Sequence, residues 1–190
     1  MRKLFAACCI TLCALQVHAT GTGLKPGLWE VRVVKQVMDG RDMSAAMAAS
    51  KARFQQSMAN MPPAQRAQME SLLKQHGLDQ TSDGGFRVCV SPEMAKRDSP
   101  IIDKEGNCQT SKLSHNGNVT TFEFSCTSHG STRTGKGEMT ASGNSMTTKT
   151  DLTTQDPQGA THQMHNESEM KYLGADCGDI KPLQPPKDLH

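Results

Sequence analysis

The first part of the chain alternates between apolar and polar side chains with a period of two. In the stretch LWEVRVVKQV, Trp29, Val31 and Val33 alternate with polar residues. Successive side chains of a β-strand point to opposite faces, so this alternation is typical of a strand with one buried face. The pattern therefore predicts a half-buried strand over residues 28–37.

Turn signals divide the second half of the chain into further strands. Asn116-Gly117 is typical of a tight hairpin, because both residue types tolerate positive φ. Ser142-Gly143 and the stretch from Asp156 to Gly159 are also typical of turns. Sequential hairpins predict an antiparallel meander. Its other predicted strands read FRVCV, the two arms of CQTSKLSHNGNVTTFEFSC, STRTGKGEMTA, NSMTTKTDLTTQ and THQMHNESEMKYL.

One segment, residues 42–77, lacks this alternation and is rich in Ala, Met, Gln, Lys and Arg. Straight-chain residues favour helix, a proline suits the first helical turn, and Gly77 suits a helix C-terminus. We therefore expect two inserted helices, at about 43–59 and 63–76. Their apolar faces would either form a binding groove with the sheet or only add to its core. The candidate groove residues are Met43, Met47, Met58, Met69, Leu72 and Leu73.

These elements predict an α+β fold that is mainly β: a curled antiparallel meander of about seven strands, an open barrel or half-barrel, with an inserted helical pair. Ser91, Pro92 and Glu93 predict one more short helix, because they suit an N-cap and a first turn. We expect a single domain over residues 20–181 and a flexible tail over residues 182–190.

The N-terminus has the pattern of a secretory signal peptide. Arg2 and Lys3 precede a short apolar run, and the small residue Ala19 follows it. This run is too short to span a bilayer, which takes about 20 apolar residues, and no later segment approaches that length. We therefore predict a signal peptide over residues 1–19 and a periplasmic protein that does not span the membrane.

Three of the seven cysteines lie in the predicted leader, and four remain. An even number of cysteines in an exported protein is typical of disulfides, and these four lack the close pairs of a zinc site. The predicted hairpin brings Cys108 opposite Cys126, so we expect that pair to be bonded. Cys89 and Cys177 form the remaining pair, because acidic neighbours disfavour a reactive thiolate at Cys177.

Composition changes the picture in two ways. Only 35% of the residues are hydrophobic and 4% are aromatic, which predicts a thin core that disulfides help to stabilise. The formal net charge is +2, and Arg2 and Lys3 of the predicted leader account for that excess. The rest of the chain is formally neutral, so the basic surface of a nucleic-acid-binding protein is not expected.

Several motifs together resemble a known family. They are GLWEV after the leader, MPPAQRAQMESLLKQHGL, VCVSPEMAKRD, the hairpin C…GN…FEFSC and the terminal GADCGDIKP. In combination they are similar to the bacterial domain-of-unknown-function family 3617. The resemblance spans nearly the whole chain after the leader. It implies an exported single-domain protein of a Gram-negative bacterium, and it supplies no catalytic residues.

Two chemical functions have candidate residues. A copper-handling protein would use the methionines and the stretch HQMH, because thioether and imidazole ligands suit Cu(I). However, His162 and His165 lie three apart on a predicted strand and therefore face opposite sides. An envelope enzyme would use a base such as His115 or His129, but neither lies in a recognised catalytic motif. We therefore expect no metal, no cofactor and no catalytic residue.

The remaining class is a binding or interaction module, which is the function that the sequence favours. A curled sheet beside a methionine-rich helical pair would form an adaptable apolar groove, because methionine surfaces repack around varied partners. The expected partner is a lipid, a peptide or an envelope protein. The alternatives are the copper-handling protein and the uncharacterised envelope enzyme.

Overall fold

The structure is a computed structural model, and it describes residues 23–81, 84–97 and 108–183. The predicted signal peptide and residues 184–190 of the predicted tail lie outside these ranges. Within them the chain forms nine strands and three helices. The strands are β1 (Gly27–Met38), β2 (Arg41–Asp42), β3 (Leu78–Gln80), β4 (Phe86–Val90), β5 (Cys108–Asn116), β6 (Val119–Ser128), β7 (Ser131–Ser142), β8 (Ser145–Gln155) and β9 (Thr161–Gly174). The helices are α1 (Ser44–Asn60), α2 (Pro63–Gln75) and α3 (Pro92–Ala95).

All nine strands belong to one antiparallel sheet. Its order is β3-β4-β1-β9-β8-β7-β6-β5, and β2 pairs with β1. The path does not close on itself, because β3 and β5 are its two edges in the described part of the chain. The prediction of an open, mainly antiparallel β fold is therefore confirmed. The seven predicted strands all form, and the structure adds the short strands β2 and β3.

The hairpins place their turns where the sequence predicts them. β5 and β6 run from the pair Asn116↔Val119 to the pair Cys108↔Cys126. Gly117, in the turn between them, has a φ of 61°, a conformation that glycine adopts without steric cost. The turn chemistry therefore sets the register that brings the two cysteines opposite each other.

On the outer face, charged side chains of opposite sign lie across from each other on neighbouring strands. Such cross-strand pairs contribute little stability individually, but they favour one register over its neighbours. The pairs, with nitrogen-to-oxygen distances, are Lys112–Glu123 at 3.0 Å, Arg87–Asp79 at 3.3 Å and Lys35–Glu167 at 3.6 Å.

The buried core lies at one end of the inner face of the sheet. Trp29 is its most buried large side chain, with 1% of its surface exposed. Its indole Nε1 donates a hydrogen bond to the carbonyl oxygen of Lys25 at 2.8 Å, which satisfies the polar atom inside the core. Helix α3 adds Met94 to the same cluster, and the Ser91 hydroxyl accepts a hydrogen bond from the Met94 N–H at the start of that helix.

Helices α1 and α2 form close to their predicted bounds but contribute no buried side chain. Their junction is fixed by Arg66 of α2. Its Nε donates to the carbonyl oxygen of Met58 at 3.0 Å, and its Nη2 donates to that of Ala59 at 3.1 Å. A cation at the last carbonyls of α1 satisfies acceptors that the helix leaves open. Neither these helices nor α3 has the length and apolar character needed to cross a membrane, within the described residues.

Candidate functional site

A groove of about 570 Å³ lies on the inner face of the sheet. Phe122, Thr150 and Asn166 line it, and they form one cross-strand row with Gly137 from β6 to β9. Val90 of β4, on the far side of the sheet, lines the same groove. Because strands from both halves of the sheet surround one space, this face is the inside of the curl. The volume is within the range of about 300–1,000 Å³ that is typical of small-molecule sites.

One end of the groove is apolar and closed. Phe122, Met139 and Met146 each expose 5% of their surface or less, and all three line the groove beside the buried Trp29. Met170 also lines this end and packs against the same cluster. Unbranched thioether side chains adapt to irregular shapes. The closed end therefore combines a rigid aromatic base with adaptable walls.

Two glycines of β7 make room for the aromatic side chains of β6. Gly137 pairs with Phe122, and Gly135 pairs with Phe124. A Cβ atom at Gly135 would lie 2.6 Å from the Phe124 ring, and a Cβ atom at Gly137 would overlap the Phe122 ring. The rings therefore lie over the backbone of β7, and this arrangement sets the width of the groove.

The groove opens toward the end of the sheet where β6 turns into β7. Along β6, burial decreases from Phe122 to the exposed Ser128, and along β7 from Met139 to the exposed Arg133. The lining changes from apolar to polar in the same direction, with Ser128 and Thr154 at the open end. A ligand in this groove would therefore have one apolar end and one polar end.

Two arginines lie in this lining. Arg133 stands between Cys126 and Thr154 in its cross-strand row, and Arg97 follows helix α3. Among the described residues that line the groove, none carries a carboxylate. The described lining therefore holds two cations and no acid, and Arg133 is the cation that lies toward the polar end.

The last described segment of the chain forms one wall. Leu183 lines the groove, and its backbone N–H donates to the carbonyl oxygen of Cys89 at 2.8 Å. Cys89 is bonded to Cys177, with 5.6 Å between their Cα atoms. Cys108 is likewise bonded to Cys126, with a Cα separation of 3.9 Å, and both line the open end. Both predicted cysteine pairs therefore lie at disulfide distance.

The predicted helical groove residues are not brought into this site. Met43, Met47, Met58 and Leu73 are half-buried on α1 and α2 or beside them, whereas Met69 and Leu72 are 38% and 49% exposed. None of the six lines the described groove. A separate groove formed by the helices stays a prediction. The groove that the structure contains uses a different set of methionines, from β7, β8, β9 and α3.

The histidines considered for metal binding lie apart. His162 Nδ1 is 2.9 Å from Asp39 Oδ2, and His165 Nδ1 is 2.7 Å from Asp151 Oδ1. The register places His162 opposite Thr154, on the groove side, and His165 opposite Asp151, on the outer side. Among the described residues, no three His, Cys, Asp or Glu side chains converge in a way that would hold a metal ion.

Hydrogen bonds to these carboxylates shift several pKa values. The hydrogen bond that Asp39 accepts from His162 raises the pKa of His162 and lowers the pKa of Asp39. Bonds to Asp151 and Glu167 raise the pKa of His165, because they stabilise the charged imidazolium. All of these groups are partly or largely exposed to solvent. They are surface ion pairs beside or outside the groove.

The histidines considered as catalytic bases contact hydroxyl groups. His115 Nδ1 is 2.9 Å from Thr120 Oγ1, and His129 Nδ1 is 2.8 Å from Ser128 Oγ. Catalysis by a serine and a histidine requires a third group that orients the imidazole. The described residues provide no hydrogen bond to the other ring nitrogen of His129. The arrangement therefore resembles a turn contact more than a catalytic pair.

Sequence reasoning missed the groove arginines. Met139 and Arg133 are separated by an even number of positions on one strand, so they lie on the same face. The stretch STRTGKGEM has a signal of its own, because glycines at 135 and 137 alternate with Lys136 and leave the inner face open for neighbours. The even spacing thus places Arg133 on the same face as the buried Met139, but the pattern alone does not show that the groove extends along β7 as far as Arg133.

Comparison with known proteins agrees with the resemblance found in the motifs. A Pseudomonas putida protein named "Uncharacterized protein in lpd-3 5'region" is 35% identical over 107 residues, which cover 54% of this chain and 69% of that protein. No solved structure matches this chain significantly. Residues 24–177 match the family described as "Protein of unknown function (DUF3617)", and this range includes nearly all of the sheet and both cysteine pairs. The chain therefore belongs to the DUF3617 family of proteins of unknown function.

Proposed function

We propose that this protein is an exported, non-enzymatic binding protein of the periplasm that holds one single-chain lipid-like molecule in the groove of its sheet. The observation that carries this proposal is the graded lining of a 570 Å³ groove, apolar and closed at one end and polar and open at the other. An apolar chain at the closed end would cover the groove surfaces of Met139, Met146 and Met170.

The size and shape of the groove favour a ligand with a single alkyl chain. Its volume suits one small molecule, and the buried cluster around Trp29 stops the groove at one end. Burial of a chain is favourable by about 0.8 kcal/mol per methylene group. A narrow groove with methionine walls binds such a chain without demanding a specific polar contact along its length.

Two further observations support export. The N-terminal residues have the pattern of a cleavable leader, and two cysteine pairs at disulfide distance suit an oxidising compartment. A periplasmic protein with an apolar groove would shield the alkyl chain of its ligand from water in a compartment that lies between two membranes.

Binding of a neutral probe tests this function. The probe is 1-monolauroylglycerol, which has a twelve-carbon chain and no charge, and isothermal titration calorimetry measures its affinity for the protein without its leader. At about 0.3 kcal/mol per non-hydrogen atom, a molecule of about 19 such atoms should bind with a dissociation constant of about 50–100 µM. A stoichiometry of one per chain is expected.

A matched pair of variants shows whether the probe lies in the groove. Thr150→Phe fills the groove, whereas Thr153→Phe makes the same change on the outer face of the same strand. We expect Thr150→Phe to weaken binding by about tenfold or more and Thr153→Phe to leave it unchanged, because only the first occupies the space of the chain. Absence of saturable binding to the wild-type protein, or equal effects of the two variants, would overturn the proposed function.

A further inference from the structure

The arginine on the groove side of β7 has a setting that differs from that of the cations outside. Arg133 lines the groove, and its guanidinium has no hydrogen bond or ion pair among the described residues. Its cross-strand neighbours, Cys126 and Thr154, are uncharged. A guanidinium presents five N–H donors and no acceptor, so an anion is the group that satisfies it best.

The outer face of the same sheet provides an internal comparison. There, Lys112 lies opposite Glu123, and Lys35 lies opposite Glu167, each within ion-pair distance. On this outer face, the carboxylates lie beside the lysines, which keeps the surface polar and favours one strand register. On the groove side the described lining holds Arg133 and Arg97 and no acid.

We propose that Arg133 binds the anionic headgroup of the groove's ligand, which makes the ligand a single-chain anionic amphiphile. This inference rests on the proposed function and specifies its ligand class. Arginine binds carboxylate and phosphate groups through paired N–H donors. A fatty acid and a monoalkyl phosphate share the required chemistry.

The position of Arg133 also fixes the orientation of that ligand. Arg133 lies at the open, polar end of the groove, and Trp29 lies at the closed end with 1% of its surface exposed. The headgroup should therefore remain near solvent, and the end of the chain should lie toward Trp29. Trp29 is the only tryptophan in the sequence, so its fluorescence reports on this end alone.

Probes with the same alkyl chain length and different headgroups test the charge that the groove prefers. Titration calorimetry compares dodecanoate and dodecyl phosphate with the neutral 1-monolauroylglycerol. We expect at least one anion to bind about tenfold more tightly than the neutral probe, since hydrogen bonds to charged groups typically contribute that much. Preference for dodecanoate identifies a carboxylate ligand, and preference for dodecyl phosphate identifies a phosphate ligand.

A matched pair of variants assigns the preference to the groove arginine. Arg133→Gln and Lys136→Gln each remove one positive charge from β7, on the inner and outer face respectively. Arg133→Gln should weaken binding of the anion far more than binding of the neutral probe, and so abolish most of the preference for the anion. Lys136→Gln should change neither. The double variant Arg133→Gln/Arg97→Gln shows whether Arg97 accounts for any preference for the anion that remains in Arg133→Gln.

The orientation has its own measurement. Bromine quenches tryptophan fluorescence at short range, so 12-bromododecanoate should quench Trp29 more strongly than 2-bromododecanoate at equal occupancy. The reverse order would place the headgroup at the closed end and overturn the proposal.

The failure of this inference can be distinguished from the failure of the proposed function. If the neutral and anionic probes bind equally, or if the double arginine variant keeps the wild-type preference, the headgroup assignment is wrong and the groove remains a binding site for neutral chains. If no probe binds, both proposals are wrong.

Discussion

At the scale of single residues, His165 shows how the outer face responds to pH. Its imidazole lies between two carboxylates, with Nδ1 2.7 Å from Asp151 Oδ1 and Nε2 3.1 Å from Glu167 Oε1. These bonds raise the pKa of His165 from its ordinary value of 6.5, and the bond to His165 lowers the pKa of Glu167 from 4.5. Both shifts favour the charged forms in the folded state.

The sign of the pH dependence follows from these directions. A raised histidine pKa stabilises the fold fully below pH 6.5, and this contribution is lost as the pH rises through the folded-state value. A lowered glutamate pKa stabilises the fold above pH 4.5, and its contribution is lost as the pH falls further. We therefore expect His165→Asn to lower the melting temperature most between pH 4.5 and 6.5, by about 1–3 °C, and progressively less as the pH rises above that range.

Thermal unfolding by circular dichroism at several pH values measures this difference. His129→Asn is the control, because His129 has a φ of 49°, which asparagine tolerates, and contacts a serine hydroxyl instead of a carboxylate. Its effect on melting temperature should not follow the same pH profile. A His165→Asn effect that grew as the pH rose above 7 would contradict the assigned ion pairs.

At the same scale, residue type alone does not reveal the groove arginine. Arg133 and Lys136 lie three positions apart on one strand and have the same charge, yet they face opposite sides of the sheet. Both are basic residues. Only the spacing from Met139, even for Arg133 and odd for Lys136, shows which face of the sheet each one occupies. The cysteine pairs were easier to predict, because the hairpin at Asn116-Gly117 fixes one of them through local turn chemistry.

At the scale of elements, the pairing of β6 with β7 depends on Gly137. A methyl group there would overlap the Phe122 ring. We expect Gly137→Ala to lower the free energy of unfolding by about 1–3 kcal/mol, because overpacking forces the ring or the strand to shift. Urea unfolding followed by circular dichroism measures the change.

Two further variants separate this clash from the general effect of adding a methyl group to a strand. Gly174→Ala, at the end of β9, adds the same group where no heavy atom lies within 4 Å, so its effect should stay within about 0.5 kcal/mol. Adding Gly137→Ala to Phe122→Leu should cost less than adding it to the wild-type protein, because the smaller side chain leaves room. Additive effects would show that Gly137 and Phe122 do not contact each other.

Elements differed in how far the sequence predicted them. The seven long strands and the helices carry periodic patterns or turn residues, so their positions follow from local signals. Strands β2 and β3 have two and three residues, which is too short for alternation to appear. The helices were predicted to need a partner for their apolar faces, yet α1 and α2 bury no side chain in the described structure. Whether a face is covered depends on tertiary packing, which periodicity does not encode.

At the scale of the whole molecule, the groove results from pairings between distant parts of the chain. β1 pairs with β9, from Leu28↔Gly174 to Met38↔Met164, and thereby connects the first strand to the last. The register shifts twice along this pair, near Leu28 and between Val33 and Lys35. Such irregularities increase strand twist and bend the sheet. The sequence has no local signal for these shifts, so the strand pattern predicted a curled sheet but not the place or lining of its groove.

The two cysteine pairs should differ in their effect on the whole fold. Cys89 and Cys177 are 88 residues apart and connect β4 to the segment after β9, whereas Cys108 and Cys126 are 18 residues apart within one hairpin. Chain-entropy arguments predict a stabilisation of about 4.6 kcal/mol for the longer loop and about 3.2 kcal/mol for the shorter one. The Cys89→Ala/Cys177→Ala variant should therefore unfold at lower urea concentration than Cys108→Ala/Cys126→Ala.

The longer connection should also affect the groove, because Leu183 lines it and is held to the backbone of Cys89. Without the Cys89–Cys177 bond, non-covalent contacts hold the segment that carries Leu183: backbone hydrogen bonds, an isolated bridge to Cys89, and the apolar packing of Ile180 and Leu183. We expect this variant to bind 1-monolauroylglycerol more weakly under conditions where circular dichroism shows it folded. Equal losses of stability in the two double variants would mean that native-state interactions, rather than loop length, determine the contribution of each pair.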